Sequence, residues 1–128
     1  MLTIRPIEQK QIQQDLCVQC GVEYRPDTLA YSCYEAEKLV GVCQFYLRAG
    51  GVYLTDLSLA QGVEDDLALF LMGRAALNFA DLAGFHDAYY PTPEDEGLAK
   101  QIGFRKNSCN EWYMNLRNFF ISPCSHDK

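Results

Sequence analysis

The sequence predicts a single α/β domain of the α+β type. It is a mixed, mostly antiparallel sheet with flanking helices, in the order β-α-β-β-β-α-β-α-β-β. Three observations predict it. Leu29 to Ala36 and Leu39 to Leu47 are rich in Tyr, Val and Phe and are separated by Glu37-Lys38, which is a hairpin signal. Leu69, Met72, Ala76, Phe79, Ala80 and Ala83 recur along one face of a helix with a 3.6-residue period. That helix lies between two strand-like runs, and a strand–helix–strand unit makes one parallel step in an otherwise antiparallel sheet. A chain of 128 residues, 48% apolar and 22% charged, has the size and composition for one buried core.

The elements follow in chain order. Thr3 to Ile7 reads as a short strand, which Pro6 places at an edge or end. Glu8 to Cys20 carries Ile12, Leu16 and Cys20 four apart on one helical face, and Gly21 stops that helix. Arg25-Pro26-Asp27 is a turn before the hairpin, and Ala49-Gly50-Gly51 is the turn after it. Val52 to Leu59 alternates, with Val52, Leu54 and Asp56 expected on one face and Tyr53, Thr55 and Leu57 on the other. Gln61-Gly62 breaks the strand, and Glu64-Asp65-Asp66 leads into the long helix to about Ala83. Its narrow polar stripe of Arg74, Asn78 and Asp81 predicts a helix that is nearly all buried. Gly84 ends it, and Asp87 to Tyr90 is a short strand. Pro91-Thr92-Pro93 precedes a helix from Glu94 to Ile102, with three acids in its first turn and Gly103 at its end. Phe104 to Lys106 and Glu111 to Leu116 read as a closing strand pair. Residues 1–116 form the domain and 117–128 a tail with an apolar Phe119-Phe120-Ile121 patch, suited to its own domain or to a homodimer contact.

Acids outnumber bases 17 to 11, for a formal charge of −6 and a pI near 4.8. That balance argues against nucleic acid and anionic membrane as partners, since both want clustered Lys and Arg. The longest apolar run, Leu67 to Gly73, falls far short of the roughly 20 residues of a membrane span. No cationic segment followed by a long apolar one marks a signal peptide, so a cytoplasmic location is expected.

Six cysteines stand at 17, 20, 33, 43, 109 and 124 and are expected to be free, buried thiols. A two-residue hairpin loop puts Cys33 and Cys43 on opposite sheet faces, and a three-residue loop brings them into register. Cys17 and Cys20 form a C-x-x-C late in the first helix. A redox pair normally sits at a strand-to-helix junction, and His86, Cys109, Cys124 and His126 lack zinc-ligand spacing, so no metal site is expected. A metal or redox role for Cys17 and Cys20 is the weakest functional reading.

The element order, together with Leu57-Ser58-Leu59, Arg74 to Ala80 and Leu98-Ala99-Lys100-Gln101-Ile102-Gly103-Phe104, resembles the GNAT superfamily of N-acetyltransferases over about residues 1–116. The resemblance implies acetyl-CoA or another acyl-CoA as cofactor and an amine of a small molecule or protein as acceptor. It implies that the backbone of Leu57, Ser58 and Leu59 receives the pantetheine arm. The family's glycine-containing pyrophosphate loop falls on Glu64 to Leu69, where the basic position is Glu64 and Asp65, Leu67 and Leu69 stand in place of glycines. Carboxylates there repel a polyanion and satisfy the helix end themselves. The family's tyrosine acid falls on Ala99, its strand glutamate near Tyr53, and Asp56 is the one carboxylate of that strand. Asp56 and Tyr53 are therefore the candidate catalytic residues, although a phenol is a poor base at neutral pH. Two functions follow: a GNAT-like acyltransferase with a degenerate cofactor loop, or a non-catalytic GNAT-like module that has lost CoA and binds a ligand or protein in the old cleft. Glu64-Asp65-Asp66 and Glu94-Asp95-Glu96 are expected at the cleft, where they attract amines.

Overall fold

The computed structural model describes residues 1–117 and 119. The elements are β1 (Leu2–Pro6), α1 (Lys10–Gln19), β2 (Leu29–Glu35), β3 (Lys38–Arg48), β4 (Gly51–Leu59), α2 (Asp66–Leu82), β5 (Asp87–Tyr89), α3 (Glu96–Ile102), β6 (Arg105–Lys106) and β7 (Trp112–Asn115). This is the expected order. The sheet runs β1-β2-β3-β4-β5-β7-β6, with β4–β5 parallel and every other pair antiparallel. The parallel step falls where the strand–helix–strand pattern predicted it.

One face of the sheet carries α2 and α3 and holds the main core, built from Cys43, Phe45, Val52, Leu54 and Leu57 against Met72, Ala76, Leu77 and Ala80. The other face carries α1. Small residues let α2 lie close to its neighbours: a Cβ on Gly41 would meet the Ser58 carbonyl and Met72, and one on Gly73 would meet Ile102 of α3. Gly51 opens β4 at φ +146°, and a Cβ there would collide with the Asp87 carbonyl oxygen. Both the backbone conformation and the contact exclude a side chain. Gly51→Ala is expected to destabilise the fold by about 2–3 kcal/mol, read as a lower urea midpoint at unchanged slope.

Several side chains lie elsewhere than the periodicity predicted. Helix α1 buries Gln13, Leu16 and Cys17, while Ile12 is exposed. Gln13 turns inward because the inner surface it meets is polar. Helix α2 buries Ala68, Met72, Gly73, Ala76, Leu77 and Ala80, while its Leu67, Phe79 and Leu82, and Ala83 just past its end, are exposed. It is a one-sided helix rather than a nearly all-buried one, because α3 and the sheet cover a single sector of it. The β2–β3 loop is two residues, Ala36-Glu37, closed by the Glu35↔Lys38 pair. A bulge then shifts the register between Cys33 and Tyr34, so Cys33 faces Gly41 and Cys43 faces Tyr31. Both thiols enter the same core face, the arrangement expected of a three-residue loop, reached here by a two-residue loop and a bulge. Cys17, Cys20, Cys33 and Cys43 are free and buried, but Cys109 is exposed in the β6–β7 loop, contrary to expectation. Cys124 and the rest of the Phe119-Phe120-Ile121 patch lie outside the described residues. Phe119 itself packs over the Arg74 guanidinium of α2, 4.8 Å from its carbon.

Among the described residues, no helix is long and apolar enough to cross a membrane. His86 Nδ1 meets Asp81 Oδ1 at 2.7 Å and ties the approach to β5 to the last turn of α2, a structural role.

Candidate functional site

The sheet splits where its parallel step begins. Strands β4 and β5 pair at Val52↔Ala88 and Tyr53↔Tyr89, and no ladder pair joins them beyond. Strand β4 continues to Leu59, while the chain after Tyr90 turns away through Pro91-Thr92-Pro93. The cause lies in β4. Gln44 pairs with Asp56 but Phe45 pairs with Leu54, so Thr55 is an extra residue. A bulge bends its strand and increases local twist. The Thr55 hydroxyl donates to the Gln44 carbonyl oxygen at 2.9 Å and stabilises the irregular step.

The bulge corrects the predicted alternation. Leu57 joins Val52 and Leu54 on the α2 face, and Asp56 joins Tyr53 on the α1 face. The two candidate catalytic residues therefore share one face. Of the three candidate cofactor residues, two present their backbone to the split. Ala60 N–H donates to the Val40 carbonyl, so antiparallel alternation turns the amide groups of Ser58 toward β3 as well. Those of Leu57 and Leu59 point to the open edge. The Ser58 side chain donates instead to the Cys20 carbonyl at the end of α1.

A buried polar network supports Asp56. Gln44 Nε2 donates to Asp56 Oδ2 at 2.8 Å and to the Glu23 carbonyl at 2.8 Å. Gln44 Oε1 accepts from Gln13 Nε2 at 2.8 Å and from Arg25 N–H at 3.0 Å. Gln13 also donates to the Thr28 hydroxyl. The Arg25 guanidinium Nε donates to Asp56 Oδ2 at 2.7 Å, and this hydrogen bond raises the guanidinium above its ordinary range. The Asp56 side chain is only 11% exposed. Its Oδ1 has no protein partner among the described residues. Periodicity gave no hint of this network, since it weighs apolar residues and three of the members are Gln13, Gln44 and Thr28.

Two cavities open on the α1 face beside the split and share Pro91 and Thr92. The larger, about 430 Å³, lies over Tyr53 and Tyr89 and carries Glu96, Glu111 and Lys106 on its walls. The smaller, about 340 Å³, lies under the loop after α1 and carries Glu23, Asp27 and Arg25. A row of phenols crosses their floor: Tyr46–Tyr53 at 5.2 Å and Tyr53–Tyr89 at 5.0 Å are stacked, and Tyr89–Tyr113 at 5.4 Å is tilted by 50°. Arg48 caps one end over Tyr46, and the Tyr113 hydroxyl donates to Asp87 at the other. Tyr89 and Tyr113 thus face α1, while Tyr90 and Trp112 are buried on the other side, one of each pair per face as expected.

Strands β4 and β5 are parallel, so α2 and α3 both begin beyond the same end of the sheet. Both helix starts are acidic. Asp65 caps α2, accepting from Ala68 N–H at 3.1 Å, and Asp95 caps α3, accepting from Leu98 N–H at 3.1 Å. The helix end that would hold a diphosphate is thus bonded to its own carboxylate and flanked by exposed Glu64 and Asp66. These residues do not fit a diphosphate, whereas the open edge of β4 suits the neutral arm of a pantetheine thioester.

Cys17, in α1, and Cys20, at its end, lie behind the site. Burial pushes each thiol up to about 11, which keeps them protonated and unreactive at neutral pH. Among the described residues, no group of three or more His, Cys, Asp or Glu is placed to hold a metal ion.

The fold is similar to that of several solved acetyltransferases. The IAA acetyltransferase of Bacillus cereus superposes with a TM-score of 0.70 at 18% identity, covering 84% of this chain and 79% of that one. The PaiA N-acetyltransferase of Thermoplasma acidophilum, solved in complex with coenzyme A, gives 0.66 at 11% identity, covering 89% and 97%. The ribosomal-protein-S18-alanine N-acetyltransferase of Escherichia coli gives 0.66 at 9% identity, covering 84% and 80%. No family model and no curated protein matches the sequence. The chain has the GNAT fold.

Proposed function

We propose that this GNAT-fold chain is an N-acyltransferase that moves an acyl group from a pantetheine thioester, such as acetyl-CoA or another acyl-CoA, to an amine. The observation that carries this reading is the open edge of β4 beyond the Tyr53–Tyr89 pair. The backbone of Leu57 and Leu59 offers donors and acceptors there to an extended arm, as a sheet edge does to an added strand. Three solved structures support it at the level of fold alone: all are of acetyltransferases, and one of them is a complex with coenzyme A.

The amine enters from the α1 face. Four carboxylates, Glu23, Asp27, Glu96 and Glu111, outnumber Arg25 and Lys106 on the cavity walls and draw an ammonium toward the split. Asp56 accepts the proton that the attacking nitrogen loses, through its unpartnered Oδ1, while Arg25 and Gln44 hold Oδ2. Tyr53 lines the acceptor path rather than acting as a base. Asp56→Asn is expected to slow acyl transfer by about 10²-fold or more while leaving thioester affinity within a factor of about three. Single-turnover transfer to a panel of amines, with calorimetry alongside, checks both halves. Equal rates for the two proteins would remove Asp56 from the chemistry.

The Asp65 cap favours a second reading, a non-catalytic module whose cleft takes an amine or a basic protein segment without CoA. Titration with acetyl-CoA separates the two. No binding at millimolar acetyl-CoA or acetyl-pantetheine sinks the acyltransferase, and binding followed by acyl transfer sinks the module.

A further inference from the structure

Helix α2 has two flanks beside its buried face. The Arg74 guanidinium donates to the Ile102 carbonyl oxygen at 2.7 Å, which marks the flank toward α3. Phe79 packs edge-on against Tyr31 of β2 at 6.5 Å and against Phe45 of β3 at 6.2 Å, which marks the flank toward the β1–β2 edge of the sheet. Leu71, Ala75, Phe79 and Leu82 follow one another at spacings of four, four and three, so they form one stripe along this second flank. The charged residues of α2, Asp66, Arg74 and Asp81, all lie off that stripe.

Beside Phe79 the stripe borders a cavity of about 350 Å³, separate from the two at the split. Its walls are apolar: Tyr31 and Phe45, stacked at 5.8 Å, with Phe79, Leu29 and Ile7. A knob stands next to this hole. Leu82, one helical turn beyond Phe79, is 80% exposed, and Leu29 and Phe79 at the cavity are 43% and 40% exposed. Single exposed apolar side chains are ordinary on a protein surface, whereas a group of them around an apolar cavity marks a contact site.

The face itself selects its occupant. It holds a hole and a projecting leucine one turn apart, and a two-fold contact needs both on one surface because the patch meets itself. The charged groups at the cavity are also a matched pair, Glu8 and Lys10. Across a two-fold axis, Glu8 of each copy meets Lys10 of the other. Lys10 Nζ donates to the Thr28 carbonyl oxygen and to Gln13 Oε1, and its third N–H serves that contact. Two chains of formal charge −6 repel over most of their surface, and here no acid is left unmatched. The chain's own tail sets out from the opposite flank, where Phe119 lies over the Arg74 guanidinium.

We infer that two copies of this chain pair through the α2–β2 flank as a two-fold dimer, with Leu82 of each copy seated in the aromatic cavity of the other. The clefts at the split open on the α1 face, so pairing leaves both of them accessible. The inference does not depend on the acyltransferase reading.

Sedimentation equilibrium of the full chain at about 50 μM is expected to give twice the 14.5 kDa monomer mass. Leu82→Glu is expected to weaken pairing by about 30-fold or more, because it removes a central anchor and buries a charge in its place. Val18→Glu alters a comparably exposed residue of α1 and is expected to leave the dimer intact. Glu8 and Lys10 are both exposed, and Glu8→Lys and Lys10→Glu are each expected to weaken pairing. An equimolar mixture of those two variants recovers a dimer, since both charge pairs of the mixed species are opposite again. A parent chain that stays monomeric at about 100 μM overturns the pairing. If Phe120→Asp then turns that monomer into a dimer, the cavity belongs to the chain's own tail. A dimer that Leu82→Glu leaves unchanged, or that Val18→Glu dissociates equally, overturns the assignment to this face.

Discussion

On the proposed acyltransferase function, replacing Asp65 with Ser and Asp66 with Asn is expected to raise the affinity for acetyl-CoA at least tenfold, with that for acetyl-pantetheine unchanged. Ser keeps the hydrogen bond to the Ala68 N–H that Asp65 now makes, so the helix start is preserved. What changes is charge. Two carboxylates disappear from the end of α2 where the diphosphate of the cofactor would come to rest. A like-charge pair about 6–8 Å apart near a protein surface costs roughly 0.5–2 kcal/mol, and two acids facing a diphosphate make several such pairs. Loss of about 1.4 kcal/mol of repulsion is already tenfold in affinity. Because these acids are exposed, the gain shrinks at high salt, where the screening length falls to about 3 Å at 1 M. Calorimetry at low and high salt with both thioesters reads all four numbers. Equal acetyl-CoA affinity in parent and variant would show that the helix end and the diphosphate do not meet.

Gln44→Leu is expected to lower the thermal midpoint by about 10–20 °C. Gln44 is fully buried and makes four hydrogen bonds, to Gln13, Glu23, Arg25 and Asp56. Leucine fits the volume but leaves those partners short of bonds in a site closed to water. An unsatisfied buried polar group costs about 1–3 kcal/mol, and several are created at once. A loss of roughly 3–5 kcal/mol corresponds to that midpoint shift in a domain of this size. The loop between α1 and β2 also loses its anchor at Glu23 and Arg25, so proteolysis at Tyr24-Arg25 becomes faster. A midpoint within about 3 °C of the parent would mean that water repairs the network.

The split and the chemistry beside it were unequally legible in the sequence. The element order and the parallel step could be read because Val52 to Leu59, the helix after it and Asp87 to Tyr90 each carry a periodic pattern. The acids at the start of α2 could be read because a cofactor loop has fixed spacing, and their capping role appears as expected. The position of Asp56 could not. The bulge at Thr55 has no residue signature, yet it moves every later side chain of β4 to the opposite face. Gln13 and Gln44 were invisible for a related reason: a buried amide looks like a surface residue until its partners are known.

The row Tyr46, Tyr53, Tyr89 and Tyr113 bridges β3, β4, β5 and β7, and its middle contact crosses the two ladder pairs that hold the halves of the sheet together. Closely stacked phenols couple optically, and their near-ultraviolet circular dichroism depends on ring spacing. The protein therefore carries its own gauge of how wide the split stands. With Trp112, the chain's single tryptophan, beside Tyr113 as an acceptor of tyrosine excitation, opening or closure on ligand binding can be followed without attaching a label.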